Sequence, residues 1–578
     1  MCGIFGITEK NFNLVQSLIN TCSYRGPDGS SIWMNDKITL GHNLLSITSK
    51  PSDAKQPWIT ENKNILIYNG EIFNYDDLLL YFQDQFLPKT TCDTELLAWL
   101  LENKSYENIL SNILDSMHAF VFYNKSKNEI LLSRDHAGIK PLYFSETSNG
   151  IIFSSEIKAL INYVPTSKVI DRLALACTSF LGVNILRQTI FKGIYKVLPG
   201  ETIKYDLDKK KIKSTFRNLV KPLSNIEFNV DEFKNQTVKT IKQSTLGLRK
   251  FGIFLSGGID SSLIALELYK HLGELNSFTN IMEPNVILST EDHNSDAITA
   301  KKFASEFSFN HKEIKITPDI VLDSWDEAIK FMEEPRYNWN MPMYYYTNKI
   351  LSQNGTVVTM AGDIGDELFG GYSKYFSMKN LTKKPASWKE FVWIWMHKFS
   401  SPLKLNIKFN SRDLHTILCE ILPEELWNSE DIINSAMALD CITTVPEDFF
   451  SRNDRYGMAF SMEGRFPFSS KKYMQYCLSV KSKYKIGLTN NEMKLPVKLS
   501  YNKLLPKYVL NKSKTGWTVP IMYWLNESEK LKNKYISTIN KEDGIKSLIS
   551  KENYRSNNKQ KIISWIFRSW AQQYEMSL

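Results

Sequence analysis

The apolar run Phe251-Gly252-Ile253-Phe254-Leu255 passes without a spacer into Ser256-Gly257-Gly258-Ile259-Asp260-Ser261-Ser262 and then into a helical pattern. A buried strand that stops at paired glycines and restarts as a helix fits an open α/β sheet. The surrounding sequence repeats the theme. Apolar strands at 251–255, 276–281 and 356–360 alternate with helical patterns at 231–246, 261–271, 295–306 and 343–353. That alternation predicts a doubly wound parallel sheet. Adjacent glycines let backbone N–H groups close on an anion, and the helix start adds the positive end of its dipole. Leu255, Ser256, Gly257, Gly258, Asp260, Ser261 and Ser262 are therefore candidate phosphate-binding residues. A Walker loop is excluded, because no GKS or GKT follows.

A second glycine–acid cluster follows the strand at 356–360: Ala361-Gly362-Asp363-Ile364-Gly365-Asp366-Glu367-Leu368-Phe369-Gly370-Gly371-Tyr372. Carboxylates among glycines at the carboxyl end of a strand suit Mg²⁺, which prefers hard oxygen ligands and shares them with phosphate. Asp260 and Asp366 are the candidate ligands. Ala361 and Gly362 join the nucleotide set.

The first third of the chain has another texture. Strands at 3–7, 38–46, 64–68, 119–124, 129–133 and 151–153 mix with helices at 11–20, 75–82, 93–103 and 156–161. The reading is one domain over 2–206, a Lys-rich connector at 207–229 and a second domain over 230–578. The region 374–450 is helical, with Trp388, Trp393 and Trp395 as packing residues. Ile562, Ile563, Trp565, Ile566 and Trp570 predict an amphipathic helix docked on the body. With 43 % apolar and 23 % charged residues, the chain reads as a soluble globular protein. Its net charge of +9 is spread among acids, which points to a solvated surface rather than a nucleic-acid patch. No apolar run is long enough to span a bilayer, and no signal peptide is evident, so the expected location is cytoplasmic. The seven cysteines form no CxxC pair, which argues against structural zinc and for a reducing compartment.

Cys2 stands apart from the other cysteines. Removal of Met1 puts a thiol and an α-amine on one residue. An α-amine titrates near pH ~8, so it can move the proton of its own thiol at neutral pH.

Taken in order, these segments resemble the glutamine-dependent asparagine synthetase family. Cys2-Gly3-Ile4-Phe5-Gly6, Arg25-Gly26-Pro27-Asp28-Gly29, Tyr68-Asn69-Gly70-Glu71-Ile72-Phe73-Asn74, Asp93-Thr94-Glu95, Arg134-Asp135-His136-Ala137-Gly138 and Leu198-Pro199-Gly200-Glu201 match its first domain. SGGIDSS, the motif of ATP pyrophosphatases, matches the second, together with Glu333-Glu334-Pro335, GDIGDELFGGY, Glu463-Gly464-Arg465-Phe466-Pro467-Phe468 and the loop around Lys514. The resemblance implies an α+β Ntn-type αββα sandwich, followed by an α/β sheet of the adenine nucleotide α-hydrolase type. An ammonia tunnel would join them.

The same resemblance implies roles. Cys2 is the nucleophile on glutamine, with Asn69 and Gly70 as oxyanion donors. Glu71 and Asp93 hold the glutamine head group. ATP and Mg²⁺ activate a carboxylate, Asp363 sits beside the acyl-adenylate, and Lys514 neutralises phosphate charge. The partners implied are small molecules (glutamine, ATP, an acceptor acid), with no nucleic acid and no membrane, and a homodimer, since relatives are often dimers.

Three positions depart from the family. Leu44, in Gly41-His42-Asn43-Leu44-Leu45-Ser46-Ile47, stands where relatives carry an Arg that clamps the glutamine carboxylate. An apolar side chain makes no such pair. The expectation is that Asn43, Arg25 or another residue replaces it, or that free ammonia is the donor. Asn280 stands near a usual Gly, and Ser470 replaces an acid. These changes leave the acceptor open between aspartate, the family default, and another carboxylate such as a uronic acid. A lactam-forming or glutamine-independent relative and a non-catalytic scaffold are the remaining rivals.

Overall fold

A computed structural model describes residues 2–577 apart from 223–224, 248, 289–290, 398–404, 407–408, 490–491, 514–517, 544 and 551–557. Twelve strands build its amino-terminal part. They are β1 (Gly3–Ile7), β2 (Gly29–Met34), β3 (Thr39–Leu44), β4 (Trp58–Ile59), β5 (Ile65–Ile72), β6 (Ser116–Asn124), β7 (Glu129–Arg134), β8 (Tyr143–Thr147), β9 (Gly150–Ser154), β10 (Tyr195–Lys196), β11 (Glu201–Asp206) and β12 (Lys211–Arg217). They form two six-stranded sheets, β10-β8-β9-β1-β3-β2 and β12-β11-β7-β6-β5-β4, antiparallel throughout.

The two-residue period of a strand sorts its side chains between the layers. Ile65 and Ile67 point into the space between the sheets, beside Ile4, Ala119, Val121 and Ile203. Leu66 and Tyr68 point outward, under the helices Tyr75–Tyr81 and Asp93–Asn103. By the same alternation Asn69 and Glu71 belong to the inner face, toward β1 and Cys2. The helix Phe12–Thr21 covers the other sheet with Val15, Leu18 and Ile19. This is the αββα sandwich. The stretch expected as a connector holds β12, which extends the second sheet past residue 206 by pairing with β11.

The carboxy-terminal part is built on β13 (Phe251–Phe254), β14 (Asn276–Met282), β17 (Asn310–Ile316), β18 (Val358–Met360) and β19 (Glu463–Arg465); a hairpin, β15 (Ile287–Leu288) with β16 (Glu291–Asp292), stands apart from them. The five-stranded sheet runs β17-β14-β13-β18-β19 and every pair is parallel. Helices Ile259–Leu272, Ser295–Glu306 and Met341–Gln353 lie between its strands in sequence. The helix Asn558–Gln573 buries Ile562, Ile563, Trp565, Ile566 and Trp570. Trp565 stacks on Trp325 of the helix Pro318–Met332, with ring centroids 3.7 Å apart and planes 13° from parallel. Trp388 and Trp395 are buried as packing residues, and Trp393 packs partly buried against the same core. Among the described residues no helix is long and apolar enough to cross a membrane.

The two parts meet through buried charge. Arg25 reaches both Glu156 (2.8 Å) and Asp454 (2.8 Å), all three buried. Glu447 takes Arg134 at 3.2 Å and Lys196 at 2.8 Å. Glu333 accepts the backbone N–H groups of Ile157 (3.1 Å) and Lys158 (2.9 Å) and pairs with Arg455 (3.1 Å). Ser470 caps the helix Lys471–Ser479 and donates to Asp115 at 2.5 Å, while the Lys471 N–H donates to the same carboxylate at 2.9 Å.

Candidate functional site

The first of two centres lies at the start of β1. The Cys2 backbone nitrogen, the atom that becomes the α-amine once Met1 is removed, donates to Asn69 Oδ1 at 2.8 Å. Asn69 is fully buried, and its Nδ2 has no hydrogen-bond partner among the described residues. An unpaired buried amide costs free energy unless a ligand takes it. Here it is a donor held beside a thiol, the arrangement an oxyanion hole requires. Gly70 next to it can be nothing larger, since a Cβ would lie 2.3 Å from the Met117 carbonyl oxygen. Burial pushes the Cys2 thiol up, so the thiolate needs the neighbouring amine to take its proton.

Glu71 and Asp93 are also brought to this centre. Asp93 opens the helix Asp93–Asn103 and accepts from Tyr68 Oη (3.1 Å) and the Ile72 N–H (3.1 Å). Burial outweighs those hydrogen bonds and pushes its carboxyl up to about 6. Glu71 is raised well above the usual carboxylate range, first by burial and then by Asp93. It is paired with Arg465 of β19 at 3.1 Å.

Leu44 is buried and clusters with Cys2, Ala54 and Cys92, so this wall of the centre is apolar. Neither residue expected as a stand-in for the missing Arg is available. Asn43 Nδ2 is spent on the Ile19 (3.0 Å) and Cys22 (2.9 Å) carbonyls. Arg25 is held by Glu156, Asp454 and the Cys2 carbonyl, the last at 3.1 Å. Both were fixed by packing partners distant in the chain, which no local pattern reveals.

The second centre lies at the carboxyl ends of β13 and β18. Leu255 continues β13 by donating to the Phe278 carbonyl at 2.9 Å. Ser256 and Ser261 then pin the turn, with their hydroxyls 3.0 Å apart and Gly258 N–H donating to Ser256 Oγ at 3.3 Å. Gly257 has φ +74° and lies against the Asp296 carbonyl oxygen, where a Cβ would sit 2.4 Å away. Gly258 caps the helix Ile259–Leu272 with no side-chain cap hydrogen bond. Ser262 Oγ is buried with no partner among the described residues.

Gly362 packs on Asp260 and Ser261, so Ala361 and Gly362 close one side of this turn. Asp363 accepts from Arg452 Nη2 (3.3 Å) and Asn453 Nδ2 (3.1 Å), and burial raises its carboxyl despite Arg452. The Arg452 guanidinium lies over the Tyr344 ring, 4.3 Å from its centroid. Nearby, Arg336 is buried, and it donates to the Asp448 carbonyl at 3.2 Å and to Ser451 Oγ at 3.4 Å.

Asp260 and Asp366 face each other across Lys494, whose ammonium meets Asp366 at 2.8 Å and also Asp260. Burial opposes the charge of Lys494, but the two carboxylates outweigh it and push its pKa up. Sequence reasoning did not single out this lysine; Lys514, the residue expected to neutralise phosphate charge, lies outside the described residues. Lys494 carries one local signal, a left-handed backbone (φ 57°) just before the helix Leu495–Ser500, and sequence does not display it.

Residues 1–216 match the glutamine amidotransferase domain family, and residues 232–563 match the asparagine synthase family. The chain belongs to the asparagine synthase family. That match spans the SGGIDSS turn, the GDIGDE loop and Lys494, and the chain is a ligase of the asparagine synthase type with a glutamine amidotransferase domain in front. A relative from Bacillus subtilis (strain 168) named asparagine synthetase [glutamine-hydrolyzing] 3 is 23 % identical over 572 residues, which cover 93 % of this chain and 92 % of the relative. Asparagine synthetase [glutamine-hydrolyzing] 1 of the same organism is 24 % identical over 604 residues, 96 % of this chain and 92 % of the relative. A solved chain titled as the allosteric regulatory enzyme of purine biosynthesis overlaps 48 % of this chain and 64 % of its own, at 18 % identity and a TM-score of 0.29.

Proposed function

We propose that this protein converts a carboxylic acid to its amide, with glutamine as nitrogen donor and ATP as activator, and that aspartate is the acceptor. The observation that carries the reading is the pairing of two centres in one body: a thiol beside an unpaired buried amide, and a glycine turn facing two carboxylates bridged by a lysine.

At the first centre the α-amine of processed Cys2 takes the thiol proton. Sulfur then attacks the glutamine amide carbon, and Asn69 Nδ2 and the Gly70 N–H receive the developing oxyanion. One such donor is worth about 3 kcal/mol in a barrier. The C–N bond breaks, ammonia leaves with the proton, and water later cleaves the thioester to glutamate.

At the second centre the N–H groups that begin the helix after Gly258, with Ser256, Ser261 and Ser262, hold the phosphates. Two carboxylates set among close-packed glycines fit Mg²⁺, so Asp260 and Asp366 would hold it. Bound there, Mg²⁺ supplies charge neutralisation to the phosphate oxygens. Lys494 offers a second positive charge against the departing pyrophosphate. The acceptor carboxylate attacks the α-phosphorus, and ammonia then displaces AMP from the acyl group.

Aspartate is favoured by the charge pattern around Asp363. Arg336 and Arg452 suit a carboxylate, and Asp363 suits an ammonium, which together match an amino-acid zwitterion. A second reading, free ammonia as donor, is favoured by Leu44 and by the committed Asn43 and Arg25. The test is pyrophosphate release across a panel of carboxylic acids, aspartate first, with glutamine or ammonium chloride. Release with aspartate and glutamine is expected. Response to another acid alone removes aspartate, response to ammonia alone removes glutamine, and silence with every acid ends the proposal.

A further inference from the structure

Arg465 joins the two centres by direct contacts. It is fully buried at the end of β19, the strand that flanks β18. Its Nη2 lies 3.1 Å from Glu71 and its Nε 2.6 Å from Glu463. Nη1 donates to the Ser244 carbonyl at 2.9 Å and to that of Leu246. Its own carbonyl accepts from the Ala361 N–H at 3.2 Å, where the loop bearing Asp363 and Asp366 begins. On the other side, Glu71 is two residues along β5 from Asn69, on the same face.

Glu71 therefore has one cation now and a second claimant when an amino-acid amide arrives. The ammonium of that donor and the guanidinium of Arg465 compete for the same carboxylate. Glu463 is the alternative partner for Arg465. Burial opposes its charge, but the amino terminus, Arg465 and Lys140 together hold it down to about 2, so it stays an anion.

We propose that Arg465 is a positioning residue through which occupancy of the glutamine pocket is felt by the nucleotide loop. When the donor's ammonium takes Glu71, Arg465 shifts its weight to Glu463, and β19 carries the change to Ala361. The coupling is reciprocal, since linkage between two binding sites acts equally in both directions. The inference rests on the reading of the first centre as a glutamine pocket.

The experiment is calorimetric titration of glutamine into the full-length Cys2→Ala protein, with and without a non-hydrolysable ATP analogue plus Mg²⁺. The analogue is expected to change the glutamine Kd about fivefold or more, in the range usual for coupled sites. In Cys2→Ala/Arg465→Lys, whose shorter side chain cannot span two carboxylates, that ratio should collapse toward one. In Cys2→Ala/Glu463→Gln, Arg465 is left to Glu71, and the glutamine Kd without nucleotide should rise severalfold. A purely structural Arg465 would not produce that directional rise. Ammonia-supported turnover of Arg465→Lys, with Cys2 intact, reports that the fold survives. A ratio in Arg465→Lys within twofold of the Cys2→Ala value, or no coupling despite glutamine binding, overturns the proposal. Failure of Cys2→Ala to bind glutamine at all overturns the pocket reading and this inference with it.

Discussion

Around Cys2 the polar groups are buried and committed before any substrate arrives: Asn69 to the Cys2 nitrogen, Asp93 to Tyr68 and Ile72, Glu71 to Arg465. Around Asp260 the opposite holds. The side chains of Asp260 and Asp366 keep 13 % and 22 % of their surface, the helix start is uncapped, and a lysine bridges the two acids. One centre is a closed mould in which the Asn69 amide nitrogen is left without a partner among the described residues, and the other is a charged mouth, two carboxylates to one lysine, that suits a polyanion only together with a further cation. The contrast follows from the chemistry. A neutral amide carbon needs placement to a fraction of an ångström, whereas a triphosphate needs compensating charge.

The sharpest break of this comparison is Cys2→Ala. Glutamine-supported amide formation should fall by about 10⁴-fold or more, with ammonia-supported formation retained, as read by product assay with either donor. Next is Lys494→Ala, which should slow pyrophosphate release by about 10²–10³-fold while glutamine hydrolysis persists. An equal loss in Lys514→Ala with none in Lys494→Ala would return the role to Lys514.

Leu44→Arg tests the apolar wall. A new guanidinium beside Cys2 should lower the KM for glutamine about tenfold, because one bidentate pair outweighs the crowding it brings. An unchanged KM would show that the carboxylate is held elsewhere.

The smallest effect is on acid stability. Glu156 and Glu447 are held down to about 2 despite burial, by Lys158 and Arg25 in one case and by Lys196 and Arg134 in the other. A depressed carboxyl stabilises the fold above its ordinary pKa, and that contribution is lost as pH falls from about 4.5 toward 2. Asp93, pushed up to about 6, acts the other way and costs stability as pH rises between about 4 and 6. Thermal unfolding followed from pH 7 down to 3 should therefore lose less stability below about 4.5 in Glu447→Gln than in the parent chain, since only the parent has this depressed carboxyl to protonate.

The parts that were legible in sequence are those with strong local causes. The helices at 93–103 and 295–306 begin and end where periodicity puts them. The SGGIDSS turn was readable because a position with φ +74° against a neighbouring carbonyl admits little but glycine. β19 was not, since Glu463-Gly464-Arg465 has no apolar pattern and is a strand through its pairing with Val358–Met360. β12 was hidden by its lysines, which lie on an exposed edge. The fates of Asn43, Arg25 and Glu71 depend on partners up to several hundred residues away.

The seam where the halves meet also limits what breeding or engineering can do with them. Arg25, Glu156, Glu333, Asp454 and Arg455 satisfy one another out of reach of water. Cutting the polypeptide there strands each ion, at about 3–5 kcal/mol for every broken buried pair. A foreign amino-terminal domain grafted onto this carboxy-terminal half would have to bring the complementary set of charges, so the two halves are heritable as a matched pair and not as interchangeable cassettes.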